Sequence, residues 1–135
     1  MRITLELKET TVTELYAHLN RILGREITTQ DADIAVAVLN DQKMPVGGII
    51  AEFMGAEVHI KQLVLSEGLQ AVGVDAALLR EVFMRSGQRG AKVATAYADN
   101  DAVQAFYEAN GFTVFGELAD VPVMGRTRVY LQRRL

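Results

Sequence analysis

Apolar residues along this chain recur at two spacings, and the switches between them mark its elements. Ile3, Leu5 and Leu7 alternate with polar neighbours and predict a strand over residues 2–7. Thr11 and Glu14 have the spacing of a capping box. Val12, Leu15, Tyr16, Leu19, Ile22 and Leu23 then mark one face of a helix that stops at Gly24. Residues 25–32 are polar and irregular. A strand follows at residues 34–39, a turn at Asn40–Lys43, and a partner strand at residues 47–53. Gly55 breaks that strand, and residues 57–65 return as a third. Three sequential strands joined by short turns predict an antiparallel meander.

The period then changes. Leu63-Val64-Leu65 gives way to the polar turn Ser66-Glu67-Gly68, and Gln70-Ala71-Val72-Gly73 opens a helix. Val74, Ala77, Leu78, Val82 and Phe83 have one-face spacing, and Gly87 and Gly90 bracket the exit. Residues 93–97 read as a buried strand, Asp99 or Asn100 as the cap of the next helix, and Gly111 as its end. This strand–helix–strand unit predicts a parallel pair. Residues 113–118 and 126–131 supply two more strands around a loop, 119–125, that holds Pro122. The whole predicts an α/β fold: a mixed sheet in which an antiparallel meander leads into a parallel unit, with helices on both faces. There is no internal repeat, low-complexity tract or linker, so residues 1–135 read as one domain.

The order of pieces from Leu63 to Phe112 resembles the GNAT superfamily of N-acetyltransferases. The superfamily's cofactor signature, Arg/Gln-x-x-Gly-x-Gly/Ala, is matched by Gln70-Ala71-Val72-Gly73-Val74-Asp75. A later signature is matched by Asn100, Phe106-Tyr107 and Gly111-Phe112. The resemblance covers residues 33–135 well and the first 32 loosely. It implies an acetyl-CoA-dependent enzyme that acetylates an amine on a small molecule or peptide. It further implies that the strand Leu63, Val64 and Leu65 and the turn Gln70–Asp75 bind the cofactor. Asn100 would contact the pantetheine arm, and Tyr107 would protonate the departing thiolate. Glu57 or His59 would take the acceptor's proton.

Composition narrows the picture. Half the residues are hydrophobic, enough for a sizeable core. A net charge of −3 gives no reason to expect nucleic acid. Arg126, Arg128, Arg133 and Arg134 gather near the end and read as a solvated strand. With no cysteine, disulfides, cysteine-ligated zinc and a cysteine nucleophile are excluded. MRITLELKET is not a signal peptide, and no apolar run approaches the ~20 residues of a membrane span, so the expectation is a cytoplasmic protein without membrane partners. An exposed terminal strand leaves room for a homodimer.

The candidate residues also have plainer readings. Gly68 and Gly73 suit a phosphate cradle at a helix N-terminus, and equally an ordinary turn. Asn100 suits a helix cap, and Tyr107 suits packing beside Phe106. Alternation puts Glu57, His59 and Lys61 on one strand face, which is either a base site or a polar surface. Glu52 is a weaker candidate on the neighbouring strand. Glu14 and His18 are placed to pair on the first helix and are too few ligands for zinc. Asp75 stands where the resembling family has Gly or Ala, a carboxylate where phosphates would lie. It favours an alternative, a GNAT-fold protein with weakened or lost CoA binding that serves as a binding or regulatory module.

Overall fold

Every residue of the strand Ile34–Leu39 is buried, because helices cover both of its faces. Ile34, Val36 and Val38 join one core, while Ala35, Ala37 and Leu39 join another. That division organises the computed structural model, which describes residues 5–23, 34–69 and 72–135. Its elements are β1 (Glu6–Glu9), α1 (Val12–Leu23), β2 (Ile34–Leu39), β3 (Pro45–Met54), β4 (Glu57–Leu65), α2 (Val74–Gln88), β5 (Val93–Ala98), α3 (Asp101–Ala109), β6 (Thr113–Ala119) and β7 (Thr127–Arg134). The seven strands form one sheet in the order β1-β2-β3-β4-β5-β7-β6. Every neighbouring pair is antiparallel except β4 and β5. The α/β mixed sheet, its meander and its parallel unit are as the pattern predicts.

α1 lays Leu15, Tyr16 and Leu19 on the small side chains Ala35 and Ala37 and on Ile50. Its first turn is tied by the Glu14 N–H donating to the Thr11 hydroxyl (3.2 Å). The Glu14 carboxylate accepts from the Thr10 hydroxyl (2.8 Å), and no ion pair joins it to His18 among the described residues. On the other face α2 buries Val74, Leu78, Leu79 and Val82 over β2, β3 and β4, and α3 lies against β5.

Several boundaries differ from the pattern. β1 runs on to Glu9 because it pairs with β2 as far as Val36; residues 1–4 lie outside the described residues. β7 reaches Arg134 because it follows β5 down to Val93. α2 starts at Val74, not at Gln70: Gly73 caps it in the left-handed region at φ 77°, and a helix cannot propagate through that conformation. Gln70 and Ala71 lie outside the described residues, as does the stretch 24–33. Two of the four late arginines are only partly solvated. Arg128 lies over the Tyr97 ring at 4.0 Å, and Arg133 over Phe83 at 4.5 Å while donating to the Asn110 carbonyl (2.8 Å). Among the described residues, no helix is long and apolar enough to cross a membrane.

β4 carries the irregularity that matters. Ala51 faces Ile60, but the next β3 residue, Ile50, faces Gln62. Lys61 is therefore an extra residue, a bulge that bends the strand. Past it the faces exchange: Val58 and Ile60 belong to the α2-side core, Val64 to the α1-side core. At the far end Gly47 lets β3 lie close to β4, since a Cβ there would stand 2.6 Å from the Val64 carbonyl oxygen. A backbone oxygen cannot rotate away. Gly47→Ala is expected to destabilise the fold by about 1–3 kcal/mol, the usual cost of overpacking; chemical denaturation checks this, and an unchanged midpoint would contradict the close approach.

Candidate active site

β4 and β5 pair over only three residues, Glu57–His59 with Val93–Thr95. Beyond them the strands part and leave a cleft of about 460 Å³. Ile60, Leu63 and Leu65 form one wall; Tyr97, Asn100 and Phe106 form the other, with Tyr107; Asp75 of α2 closes one end. β4 stays paired to β3 along this length, so alternate backbone N–H and C=O groups on its other edge have no strand opposite them. Leu63 and Leu65 face the cleft, whereas the Val64 side chain is buried on the α1 side and can take part only through its backbone.

The start of α2 supplies the second feature. A helix beginning at Val74 leaves its first N–H groups without partners inside the helix and carries a partial positive charge. Gly73 has nothing within 4 Å of where a Cβ would stand, so the backbone is open to approach there. Val72, just before it, is exposed. The Asp75 carboxylate accepts from the Ala76 N–H (2.8 Å) and also lines the cleft. It thus serves the helix and puts a carboxylate on the cleft wall.

Asn100 caps α3, its side-chain oxygen accepting from the Val103 N–H (2.9 Å). That oxygen is committed to the helix, while the residue still lines the cleft. Tyr107 is 6% exposed and packs against Phe106 (ring centroids 5.3 Å apart) and edge-on to Phe112 (5.0 Å). Burial, with a smaller contribution from Tyr97, pushes its phenol up to about 12. The group is therefore held as a neutral O–H donor, which is the form an acid needs.

Glu57 and His59 do not line the cleft. They sit just below the fork, on the sheet face opposite Val58 and Ile60. Thr95 of β5 joins them: its Oγ1 is 2.9 Å from His59 Nδ1 and 2.5 Å from Glu57 Oε2. The His59 ring stacks on Tyr97 at 6.0 Å, and Tyr97 is a cleft wall. Burial lowers the His59 pKa below its ordinary value, opposed by Glu57 and Glu52 and aided by Lys61. Lys61 lies 3.9 Å from Glu52 and reaches the cleft rim.

The motif residues give no hint of Thr95, Tyr97, Asp99 or Arg128. The Arg128 guanidinium grips Asp99 through Nε (2.7 Å) and one terminal nitrogen (3.2 Å), and stacks on Tyr97. The available signal was alternation in Val93–Ala98, which turns Thr95 and Tyr97 away from the buried Ala94, Ala96 and Ala98.

This architecture is that of a known class of transferase. The family model described as Acetyltransferase (GNAT) family matches residues 3–112, and the chain belongs to that family. Solved structures of the same fold include the ribosomal-protein-S18-alanine N-acetyltransferase from Escherichia coli, 14% identical with a TM-score of 0.81, covering 97% of this chain and 94% of that one. An aminoglycoside 6'-N-acetyltransferase complexed with coenzyme A is 15% identical with a TM-score of 0.80, covering 96% of each chain. An IAA acetyltransferase from Bacillus cereus is 14% identical with a TM-score of 0.73, covering 98% of this chain and all of the other. No curated protein matches the sequence.

Asp75 generates a prediction about charge. A carboxylate about 5 Å from a phosphate, at an effective dielectric of about 20, costs roughly 3 kcal/mol per unit charge. Screening reduces this to about 1–2 kcal/mol, about tenfold in affinity. Asp75→Ala is expected to tighten coenzyme A binding by about that factor, more at low salt than at high salt. Calorimetry at two salt concentrations measures it, and equal affinities would show that the carboxylate does not meet the phosphates.

Proposed function

We propose that this chain, acting as one domain, transfers an acetyl group from acetyl-CoA to an amine on a small molecule or peptide. The observation that carries this reading is the cleft itself. It brings together the unpaired edge of β4, the open start of α2 and a neutral buried phenol. The volume and the mixed walls, Leu63, Leu65 and Phe106 beside Gln62 and Asn100, suit a slender arm that carries amides and a thioester. Membership of the family and a fold neighbour complexed with coenzyme A support it.

When bound, acetyl-CoA supplies an activated thioester, whose C–S bond breaks as the new C–N bond forms. The start of α2, including Val72, Gly73 and Val74, would hold the diphosphate through backbone N–H groups. Gln70 and Ala71 belong to the same motif. Free N–H groups along Leu63–Leu65 would hold the pantetheine arm and the thioester carbonyl. His59 takes a proton from the acceptor ammonium, leaving a neutral amine to attack, and Glu57 stands behind it through Thr95. The Tyr107 O–H protonates the leaving sulfur. The proton remaining on the product nitrogen passes to water, and the tyrosine recovers one in turn. Acid and base lie on opposite faces of the fork, so donor and acceptor enter from opposite sides. Much of the rate then comes from holding the two in line.

Asp75 in the cleft wall favours a second reading, a family member that binds coenzyme A weakly and works as a regulatory or binding module. A thermal shift with acetyl-CoA separates the two, because a ligand that binds only the native state raises stability by mass action.

Tyr107→Phe is expected to lower turnover by roughly ten- to a thousandfold with acetyl-CoA affinity unchanged, the range of a lost general acid. Unchanged turnover would assign Tyr107 to packing alone. The pH profile follows from the two shifts. His59 acts in its neutral form, and its pKa is lowered, so activity should persist as pH falls through the ordinary histidine value and decline only below it. His59→Gln should abolish that limb. With Tyr107 at about 12, no alkaline fall from this group is expected until pH approaches that value.

A further inference from the structure

Thr95 stands between two buried alanines on β5, at the last position where β5 still pairs with β4. It faces His59 in register and shares its side of the sheet. Its hydroxyl makes two contacts at once, with Glu57 and with His59. Their directions are not independent. An ionised carboxylate only accepts, so the single hydroxyl proton is directed at Glu57. The oxygen then has only lone pairs to offer His59, so Nδ1 must carry the proton.

We infer that Thr95 is a positioning residue: it holds His59 as the Nδ1–H tautomer and leaves the Nε2 lone pair as the ring's only proton acceptor. Glu57 sets the direction of the chain without touching the ring. The use of Nε2 as a base rests on the acetyl transfer proposed above; the tautomer does not. In that transfer the acceptor ammonium loses a proton to Nε2. The resulting imidazolium keeps its Nδ1–H bond to Thr95, with the Glu57 carboxylate one hydroxyl further on. Glu52, opposite His59 on β3, favours the same charged state, and Lys61 opposes it. The uncharged Tyr97 ring lies against the imidazole, with Arg128 already neutralised by Asp99. A threonine whose hydroxyl proton were not directed at Glu57 would leave the ring free to take either tautomer.

The chain has only two histidines, so nitrogen-15 NMR of the imidazoles reads His59 directly, without substrate, beside His18. Wild type and Thr95→Ser are expected to show the Nδ1–H form of His59. Thr95→Val should lose it, and so should Glu57→Ala, which frees the hydroxyl proton to turn toward Nδ1. An Nε2–H His59 in wild type, or an Nδ1–H form that persists in Thr95→Val, would overturn the assignment. Turnover is then followed as acetyl-CoA consumption with an aminoglycoside and with a peptide bearing a free N-terminal alanine. Thr95→Val should lower kcat by about ten- to a hundredfold with KM for acetyl-CoA unchanged, and Thr95→Ser should restore it. A Thr95→Val protein that loses the tautomer yet keeps its kcat overturns the positioning role. A wild-type protein that shows neither turnover with these amines nor a thermal shift with acetyl-CoA overturns the transferase reading instead, and the spectra still decide the tautomer.

Discussion

The structure depends on two neighbouring strands that cannot stay together. β4 is held to β3 over its whole length and bends at its extra residue, Lys61, just past the last residue that pairs with β5. β5 in turn is held by β7 from Val93 to Ala98. Each strand follows its other partner, and they separate after three pairs. Buried backbone groups without partners are costly, so the edges of such a gap must meet water or a ligand. The helices complete the gap without closing it: α2 begins at one end, and α3 backs one wall.

The same fork explains why two titratable groups are shifted in ways that both preserve neutrality. Tyr107 is enclosed by Phe106 and Phe112 on the helix side, and His59 is enclosed beside Tyr97 on the other. Burial disfavours the charged form of each, which raises the phenol and lowers the imidazole. A neutral phenol and a neutral imidazole therefore coexist on either side of one gap. Asp75 is the discordant charge. It suits the end of α2 and lies where an anionic ligand would not welcome it.

Much of this was legible in the residues. β4 runs over 57–65 as the break at Gly55 and the polar turn after Leu65 indicate, and of the two cap candidates, Asp99 and Asn100, it is Asn100 that caps α3. These features are local, carried by neighbours in the chain. The start of α2 was less legible, because apolar spacing does not report that Gly73 adopts a left-handed conformation. The late arginines read as solvated, since charge indicates water unless an aromatic face waits across the sheet. Thr95 was invisible for a related reason: its partners lie 36 and 38 residues away, and only the parallel register of β4 and β5 brings them within reach. Pairings of that range carry no local signature.

The order of strands differs from the order of the chain in one place, and this bears on how the protein is made. β7 follows β6 in sequence but lies inside it in the sheet, between β5 and β6. During synthesis β5 and α3 emerge well before the strand that will flank them. Until β7 arrives, one edge of β5 is bare, and Tyr97 lacks the Arg128 stack that holds it. Contacts of such long range form slowly, because the intervening loop must be closed first. The nascent chain thus has its first core and the start of α2 in hand while one wall of the cleft is still loose. A ligand that spans the cleft would meet a finished site only after the last strand has inserted, so the competence of the site reports on completion of the fold.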